Sequence, residues 1–302
     1  MKGDGQHINR RKGLALAAGG VLLISANFVT VKYVLSEYNI FTFLPLWFTT
    51  ASLATTVWLL VSPPPWRAQL RLNLWPLVGL GLANGVGAAL IFGGLNYLDP
   101  SVTAFLARSG TLCSIALGYA VLGERFSGRS GIGMALILAG VGVITYSSSK
   151  AQLLGIVMVL VGYVFSSLNY LFGKQVTKTT NPVVLIWTRS MLSLGVAIVV
   201  AGLSGRFDLH FSRPHLFVLA GGAMIGPFLG QMMSFYSMRY IGLSEMEIVR
   251  ATQPLIVLFY SLVFLGMLPT LRQTLGGLVV IIGVLLLIGS QSVERMEVAS
   301  PD

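Results

Sequence analysis

Long apolar segments recur along the whole chain and are separated by short polar connections. Each runs for roughly 17 to 24 residues, the length that a helix needs to cross a hydrocarbon core of about 30 Å. The runs lack the two-residue alternation of a membrane β-barrel, so they predict an all-α polytopic membrane protein with ten transmembrane helices. The predicted helices begin near Gly13, Phe41, Leu74, Ser101, Gly131, Leu153, Val183, Leu216, Ser244 and Leu275.

The second half of the chain repeats residues of the first half at an offset of 142 or 143 positions. The matching pairs include Ser25 with Ser167, Asn27 with Asn169, Lys32 with Lys174, Tyr97 with Tyr240 and Gly140 with Gly283. Each half holds five predicted helices, and because five is odd the second half must cross the membrane in the opposite direction. The sequence therefore predicts two inverted five-helix repeats, at residues 13–149 and 150–290, between tails at residues 1–12 and 291–302. Inverted repeats are typical of secondary transporters.

Composition excludes a soluble protein, because 55% of the 302 residues are hydrophobic and only 10% are charged, against about 25% charged in soluble domains. The net charge of +10 comes mostly from alternate connections, which predicts that both terminal tails are cytoplasmic. The bilayer thus explains the basic residues, and no nucleic-acid partner is expected. The basic residues of those connections include Arg67, Arg71, Arg125, Arg129, Lys178 and Arg239.

Enzyme and channel chemistry find little support in the sequence. The three histidines, His7, His210 and His215, lie outside the predicted spans or at their edges. No metal-ligand spacing or phosphate-binding loop occurs, so neither a metal nor a cofactor is expected. Cys113 is the only cysteine, which rules out an intramolecular disulfide. A ring of charges or a carbonyl-rich filter, which a channel needs, is also missing.

Four basic residues, Lys32, Arg108, Arg189 and Arg250, fall inside predicted spans, where a charge costs at least about 2.5–3.5 kcal/mol without a partner or a cavity. Arg108 and Arg250 approach the membrane centre from opposite faces, each roughly 10 Å deep. Pro254 lacks the amide that would bond the carbonyl of Arg250, so a kink and a bared carbonyl are predicted there. The arginines could bind substrate, or they could snorkel and hold helices together through carbonyls.

Glu247 stands three residues before Arg250, on the same face of the predicted ninth helix. Residues at this spacing are neighbours on a helix, so the two could form a structural ion pair. The alternative is that Glu247 takes up and releases protons, because burial raises the pKa of a carboxyl while a guanidinium lowers it.

Several uncharged polar residues lie well inside apolar runs, where they either contact a substrate or bond neighbouring helices. These are Asn27, Asn169, Gln231, Ser234 and Tyr236. Trp47 and Trp187 occupy equivalent positions and could wall a cavity. Glycines at seven-residue spacing, Gly133 and Gly140 in the fifth helix and Gly276 and Gly283 in the tenth, predict close helix packing. The same glycine side could instead form a homodimer contact, so a monomer and a homodimer both remain open.

These residues resemble the EamA-type branch of the drug/metabolite transporter superfamily across nearly the whole chain. The first repeat carries the opening pattern as Ile24, Ser25, Ala26, Asn27, Phe28 and Lys32, without the usual tryptophan. Leu122, Gly123, Glu124 and Arg125 match the pattern at the exit of the fourth helix. In the second repeat Pro254 and Leu255 keep the family's proline, whereas Gly110 and Thr111 replace it in the first and Met267 replaces the glutamate.

Together the repeats and the resemblance predict a secondary transporter with a central cavity that works by alternating access. Embedded basic groups outnumber acidic ones, which favours a small anionic or zwitterionic metabolite such as an amino acid or organic acid. The resemblance implies an exporter or exchanger in the bacterial inner membrane. Alternatives are a broad-specificity drug exporter, a channel or a membrane-embedded enzyme.

Overall fold

A computed structural model describes residues 2–61, 64–113, 128–146, 149–177, 179–208, 212–241 and 243–299. Side chains are described in the same ranges except at 2–9, 128–130, 174, 243–245, 247 and 287–299. Every regular element in the described ranges is helical. The helices are α1 (Lys2–Val34), α2 (Ile40–Val61), α3 (Trp66–Leu72), α4 (Leu74–Leu95), α5 (Pro100–Ala107), α6 (Gly128–Thr145), α7 (Lys150–Val176), α8 (Pro182–Ser204), α9 (Arg213–Ala223), the π-helical turn π1 (Met224–Gly230), α10 (Gln231–Ser237), α11 (Leu243–Ala251), α12 (Gln253–Leu265) and α13 (Leu271–Ala299).

The predicted all-helical membrane architecture is confirmed, and helices begin within a few residues of most predicted starts. In the described part of the chain, seven helical stretches are long and apolar enough to cross a membrane, and two apolar helices are shorter, at Gly131–Thr145 and Leu271–Leu286. The predicted fourth helix is described only to residue 113, and the motif at residues 122–125 lies outside the described residues. The count of ten spans therefore stays a prediction.

Helices pair mainly across the two repeats. α4 packs along α7, α2 along α8 and α6 along α13, while α1 packs along π1 and α10. Two of these contacts are equivalent by the sequence repeat. A β-carbon at Gly20 of α1 would lie 3.0 Å from the carbonyl oxygen of Gly230, and one at Gly162 of α7 would lie 3.0 Å from that of Gly87. Repeat-related glycines thus bring two helices together once in each of these contacts.

The glycines of the predicted fifth and tenth helices face each other inside the chain. A β-carbon at Gly140 would lie 2.6 Å from the carbonyl oxygen of Gly276, and one at Gly283 would lie 2.7 Å from that of Gly133. α6 and α13 therefore pack on each other along this side, and whether the chain is a monomer or a homodimer stays a prediction. The close-packing interpretation is confirmed.

Three helices that reach the centre of the molecule are interrupted. The predicted ninth helix is broken at Thr252, between α11 and α12, as Pro254 predicts. The predicted fourth helix is interrupted after Ala107 at the equivalent position although no proline is present there. At the two breaks a hydroxyl bonds the carbonyl three residues earlier, Ser109 to Leu106 and Thr252 to Val249, each over 2.7 Å. In the third helix, π1 accommodates Pro227 between α9 and α10.

Candidate functional site

A cavity of about 140 Å³ lies among helices of both repeats. Its walls come from α1, α2, α4, the end of α5 and residues 108–111 in the first repeat, and from α7, α8, π1, α10, α11 and α12 in the second. Two of the interrupted helices contribute lining residues at or beside their breaks, Gly110 and Pro227. Irregular backbone at membrane depth is tolerated where it lines a cavity or is buried in protein. Five predicted site residues line this cavity: Asn27, Arg108, Arg189, Gln231 and Arg250.

Arg108 joins the broken fourth and ninth helices. Its Nη1 donates to the backbone carbonyl of Arg250 over 3.1 Å, and its Nη2 donates to Oε1 of Gln253 over 2.7 Å. The carbonyl of Arg250 is free to accept this bond because Pro254 has no amide to donate to it. The bared carbonyl that Pro254 predicts is thus present, but the guanidinium that it meets is that of Arg108 and not that of Arg250. Nε of Arg108 is buried and has no hydrogen-bond partner in the described part of the chain.

Arg250 is held against an aromatic ring of α7. Its guanidinium lies 3.9 Å from the ring centroid of Tyr170, and its Nη2 donates to the hydroxyl of the same tyrosine. A desolvated guanidinium on an aromatic face is stabilised by about 2 kcal/mol or more. Arg108 and Arg250 therefore form a pair of cations whose positions are fixed by Gln253, Tyr170 and a backbone carbonyl.

Arg189 enters the cavity from α8 and is oriented by α4. Its Nη2 donates to Oδ1 of Asn84 over 2.6 Å. Asn84 in turn donates through Nδ2 to the hydroxyl of Ser193 over 2.8 Å, and that hydroxyl donates to the carbonyl of Gly81 over 3.1 Å. Nε and Nη1 of Arg189 are buried and have no hydrogen-bond partner among the described residues. Three of the five N–H bonds of this guanidinium group thus start from nitrogens that no described acceptor satisfies.

The two repeat-related asparagines have different environments. Asn27 lines the cavity, leaves no room for a side chain at Gly226 and has a buried Oδ1 without a partner. Asn169 instead donates through Nδ2 to the carbonyl of Leu80 over 3.1 Å, which ties α7 to α4. Asn169 is absent from the described cavity lining and forms a helix contact, and its role as a substrate contact stays a prediction.

Other predicted residues lie away from the cavity. Tyr236 is not in the described lining. The guanidinium of Arg239 lies 5.5 Å from the centroid of its ring, and its role as a substrate contact stays a prediction. Trp47 lines the cavity, whereas Trp187 donates through Nε1 to the hydroxyl of Thr56 over 3.0 Å. The side chain of Glu247 lies outside the described residues, so both its ion pair and its proton role stay predictions.

Lys32 has a structural environment. Its Nζ donates to the carbonyls of Leu95 over 2.7 Å and Leu98 over 3.0 Å, and lies 3.4 Å from that of Asn96. These carbonyls follow the last turn of α4, where a cation is favourable. The lysine thus closes the end of a helix and does not line the described cavity.

Sequence reasoning missed several residues that shape the site, namely Asn84, Tyr163, Tyr170 and Gln253. Tyr170 was visible as the repeat partner of Phe28, and Gln253 as the neighbour of the helix-breaking Pro254. Asn84 could have been found as an amide inside an apolar run, the same signal that marked Asn27. Nothing in the sequence alone indicates which way these side chains face.

The EamA-like transporter family matches residues 11–146 and 153–289, so each half of the chain carries one copy of the family's unit. The chain belongs to the EamA-like transporter family. Membership makes this EamA-like protein an integral membrane protein of the drug/metabolite transporter superfamily, and points to a transporter rather than an enzyme.

A solved protein crystal structure is similar to this EamA-like protein along almost its whole length. The two chains are 14% identical with a TM-score of 0.61, and the alignment covers 94% of this chain and 98% of that chain. At this identity the likeness shows the fold alone. No curated protein matches the chain.

Proposed function

We propose that this EamA-like protein is a secondary transporter that moves a small anionic or zwitterionic metabolite, such as an amino acid or organic acid, by alternating access. The observation that carries the proposal is the convergence of three buried arginines, Arg108, Arg189 and Arg250, on one cavity between the repeats. Buried guanidinium N–H groups without acceptors are unfavourable, and a carboxylate supplies acceptors of the right geometry.

The arrangement of the helices supports alternating access. The contacts of α1 with π1 and of α7 with α4 use glycines that are equivalent by the sequence repeat. Rocking one repeat against the other would loosen one of these contacts while keeping the other, which opens the cavity to one side at a time. The breaks at Ser109 and Thr252 lie at equivalent positions and give both repeats a place to bend.

Cavity size disfavours the alternative of a broad-specificity drug exporter. The cavity measures about 140 Å³, whereas pockets for drug-sized ligands measure roughly 300–1,000 Å³. A small metabolite fits this volume better. The proposal also includes export or exchange across the bacterial inner membrane. It further includes ten spans in two inverted repeats, with cytoplasmic tails at 1–12 and 291–302.

Orientation can be tested with single cysteines. In a Cys113→Ser background, one cysteine is placed in the tail at residue 4 or at residue 302, and a membrane-impermeant maleimide is added to right-side-out vesicles. Cytoplasmic tails predict that labelling needs permeabilised membranes at both positions. Labelling of intact vesicles at one position alone would contradict ten spans, and labelling at both positions would contradict the cytoplasmic tails.

Uptake into proteoliposomes tests the proposed function. The purified chain is reconstituted and offered labelled amino acids and organic acids, with and without a pH gradient. We expect saturable transport of an anion or zwitterion that drops at least tenfold in Arg108→Gln and Arg189→Gln. Arg239→Gln is the matched control, because it removes a guanidinium that bonds the carbonyl of Thr180 away from the cavity.

Two outcomes would overturn the proposal. Flux that does not saturate would indicate a channel, and full transport in both cavity variants would remove the anion site. Coupling is tested separately with Glu247→Gln. If Glu247 carries the proton, this variant exchanges solute but no longer responds to the pH gradient.

A further inference from the structure

The positive charge of the cavity bears on how many negative charges a bound solute carries, and not only on whether the solute is an anion. Arg108 is 6% exposed and Arg189 is 8% exposed, and both have buried nitrogens that no described residue accepts a hydrogen bond from. The described oxygens that accept hydrogen bonds from these two arginines are neutral. They are the carbonyl of Arg250 and the side-chain amide oxygens of Gln253 and Asn84. Neutral acceptors satisfy N–H groups but leave the positive charges in place.

A count of charges sets the number of negative groups that the cavity needs. Arg108, Arg189 and Arg250 contribute three positive charges, and no residue of the described lining is acidic. Glu247, three residues before Arg250 in sequence, supplies one negative charge at most. Among the described lining residues and Glu247, two positive charges therefore remain even when Glu247 is ionised. A buried charge without a counter-charge is strongly unfavourable, so the bound solute has to provide two negative charges.

The cations are also divided between two scaffolds. Arg189 is fixed by Asn84 of α4, whereas Arg108 and Arg250 are fixed by Gln253 and by Tyr170 of α7. Each scaffold offers guanidinium groups to one acidic group of a solute. Trp47 and Phe92, which meet edge to face with centroids 6.0 Å apart, add an apolar wall to the same cavity. Such a wall suits a short hydrocarbon chain between two acidic groups.

We infer that the cavity selects a small dianion with two separated acidic groups, such as a dicarboxylate, over zwitterionic amino acids. The inference rests on the proposed transport function and narrows its substrate class. A zwitterion brings an ammonium that the guanidinium groups repel. The partnerless Oδ1 of Asn27 can accept a hydrogen bond from an ammonium, but this neutral oxygen does not cancel the repulsion.

The test compares each dicarboxylate with its own monoamide, which has nearly the same size and shape but one charge fewer. Straight-chain dicarboxylates of graded length, their monoamides and alanine compete for binding to the reconstituted full chain. Charge-assisted hydrogen bonds predict that at least one dicarboxylate binds about 10- to 100-fold tighter than its monoamide and tighter than alanine. Equal binding of acid and monoamide at every length, or tighter binding of alanine, overturns the inference.

Two variants locate the second charge. Arg189→Gln removes one scaffold's cation, and we expect it to weaken the dicarboxylate at least tenfold while changing the monoamide by less than about threefold. Asn84→Asp places a carboxylate where the amide oxygen now meets Arg189, so it neutralises the guanidinium and moves the preference toward singly charged solutes. Arg239→Gln is the control and keeps the preference of the unaltered protein. A dicarboxylate preference unchanged in both cavity variants overturns the inference.

The experiments separate this inference from the proposed function. Saturable transport of amino acids that outcompete every dicarboxylate contradicts the dianion and leaves the transporter intact. Failure to bind or transport any solute contradicts both. If a variant does not fold, the comparison of acid with monoamide on the unaltered chain still decides the outcome.

Discussion

The guanidinium of Arg108 donates a hydrogen bond to the backbone carbonyl of Arg250, 3.1 Å away and 142 residues later in the chain. The side chain belongs to the first repeat and the carbonyl to the second, so one bond joins the two broken helices. The relation is not symmetric, because Arg250 places its own guanidinium on Tyr170. Arg108 and Arg250 thus lie near equivalent positions of the two repeats but make different contacts in the cavity.

Pro254→Ala tests the broken ninth helix. Alanine supplies an amide that can bond the carbonyl of Arg250 and compete with Arg108 for it. We expect α11 and α12 to join, the free energy of unfolding to stay level or rise, and the transport rate to fall about tenfold. Pro214→Ala, in the first turn of α9 and outside the described lining, is the control. Unchanged transport in Pro254→Ala would show that the break has no role.

Gln253→Leu tests the acceptor that positions Arg108. The substitution removes Oε1, which accepts from Nη2 over 2.7 Å, and leaves another buried donor of the guanidinium without a partner. An unsatisfied buried donor costs about 1–3 kcal/mol. The midpoint of thermal unfolding in detergent should fall accordingly, and added substrate should restore part of it. Gln253→Glu keeps the acceptor and adds a charge, so it should retain stability but weaken anion binding.

A pair of glycines two residues apart tests the contact between α6 and α13. A β-carbon at Gly140 would lie 2.6 Å from the carbonyl oxygen of Gly276, whereas one at Gly142 has no atom within 4 Å. Gly140→Ala should lower the free energy of unfolding by about 1–3 kcal/mol, the usual effect of overpacking. Gly142→Ala should raise it by about 0.5–1 kcal/mol. Equal effects of the two changes would contradict the packing.

Lys32→Met tests the hydrogen bonds that the lysine donates to carbonyls at the end of α4. Removing Nζ leaves the carbonyls of Leu95 and Leu98 without their donor, and we expect a loss of about 1–3 kcal/mol in unfolding free energy without a change in substrate affinity. A matching loss of substrate affinity would instead place Lys32 at the site.

The connection between α4 and α5 also predicts a pH effect. Burial raises the pKa of Asp99, and the charge of Lys32 partly offsets this. The pKa of Asp99 is therefore higher in the folded chain than in the unfolded chain. Its contribution to folding stability is greatest at low pH and declines as the pH rises from the unfolded pKa through the native pKa. Asp99→Asn should remove that decline, and Lys32→Met should extend it to higher pH. Midpoints of thermal unfolding, measured across this pH range for the unaltered chain and for both variants, test these expectations.

The helices could be predicted well because lipid leaves the backbone few alternatives. Apolar runs near Leu74 and Val183 give helices that begin at Leu74 and Pro182, since a span must satisfy its own amides and carbonyls. Pro254 likewise predicted both the break and the bared carbonyl. These inferences depend only on local covalent structure and on the solvent around the helix.

The facing of side chains could not be predicted in the same way. Asn27 and Asn169 occupy equivalent sequence positions, yet one lines the cavity and the other bonds the carbonyl of Leu80. Their orientation depends on which helix packs beside them, and those partners come from the other repeat. The break at Ser109 also has no proline to announce it. Such features follow from tertiary packing, which a single sequence does not display.

The pairing of helices across repeats has a consequence for biosynthesis. α1 packs on residues of π1 and α10, which the ribosome adds about 190 positions after Val34. At about 5–20 residues per second, α1 waits roughly 10–40 seconds for these partners. During that time Gly20 and its neighbours face lipid or a membrane chaperone. A newly synthesised first repeat therefore lacks its packing partners. Co-expressing the two halves as separate chains should restore the folded protein, which neither half forms alone.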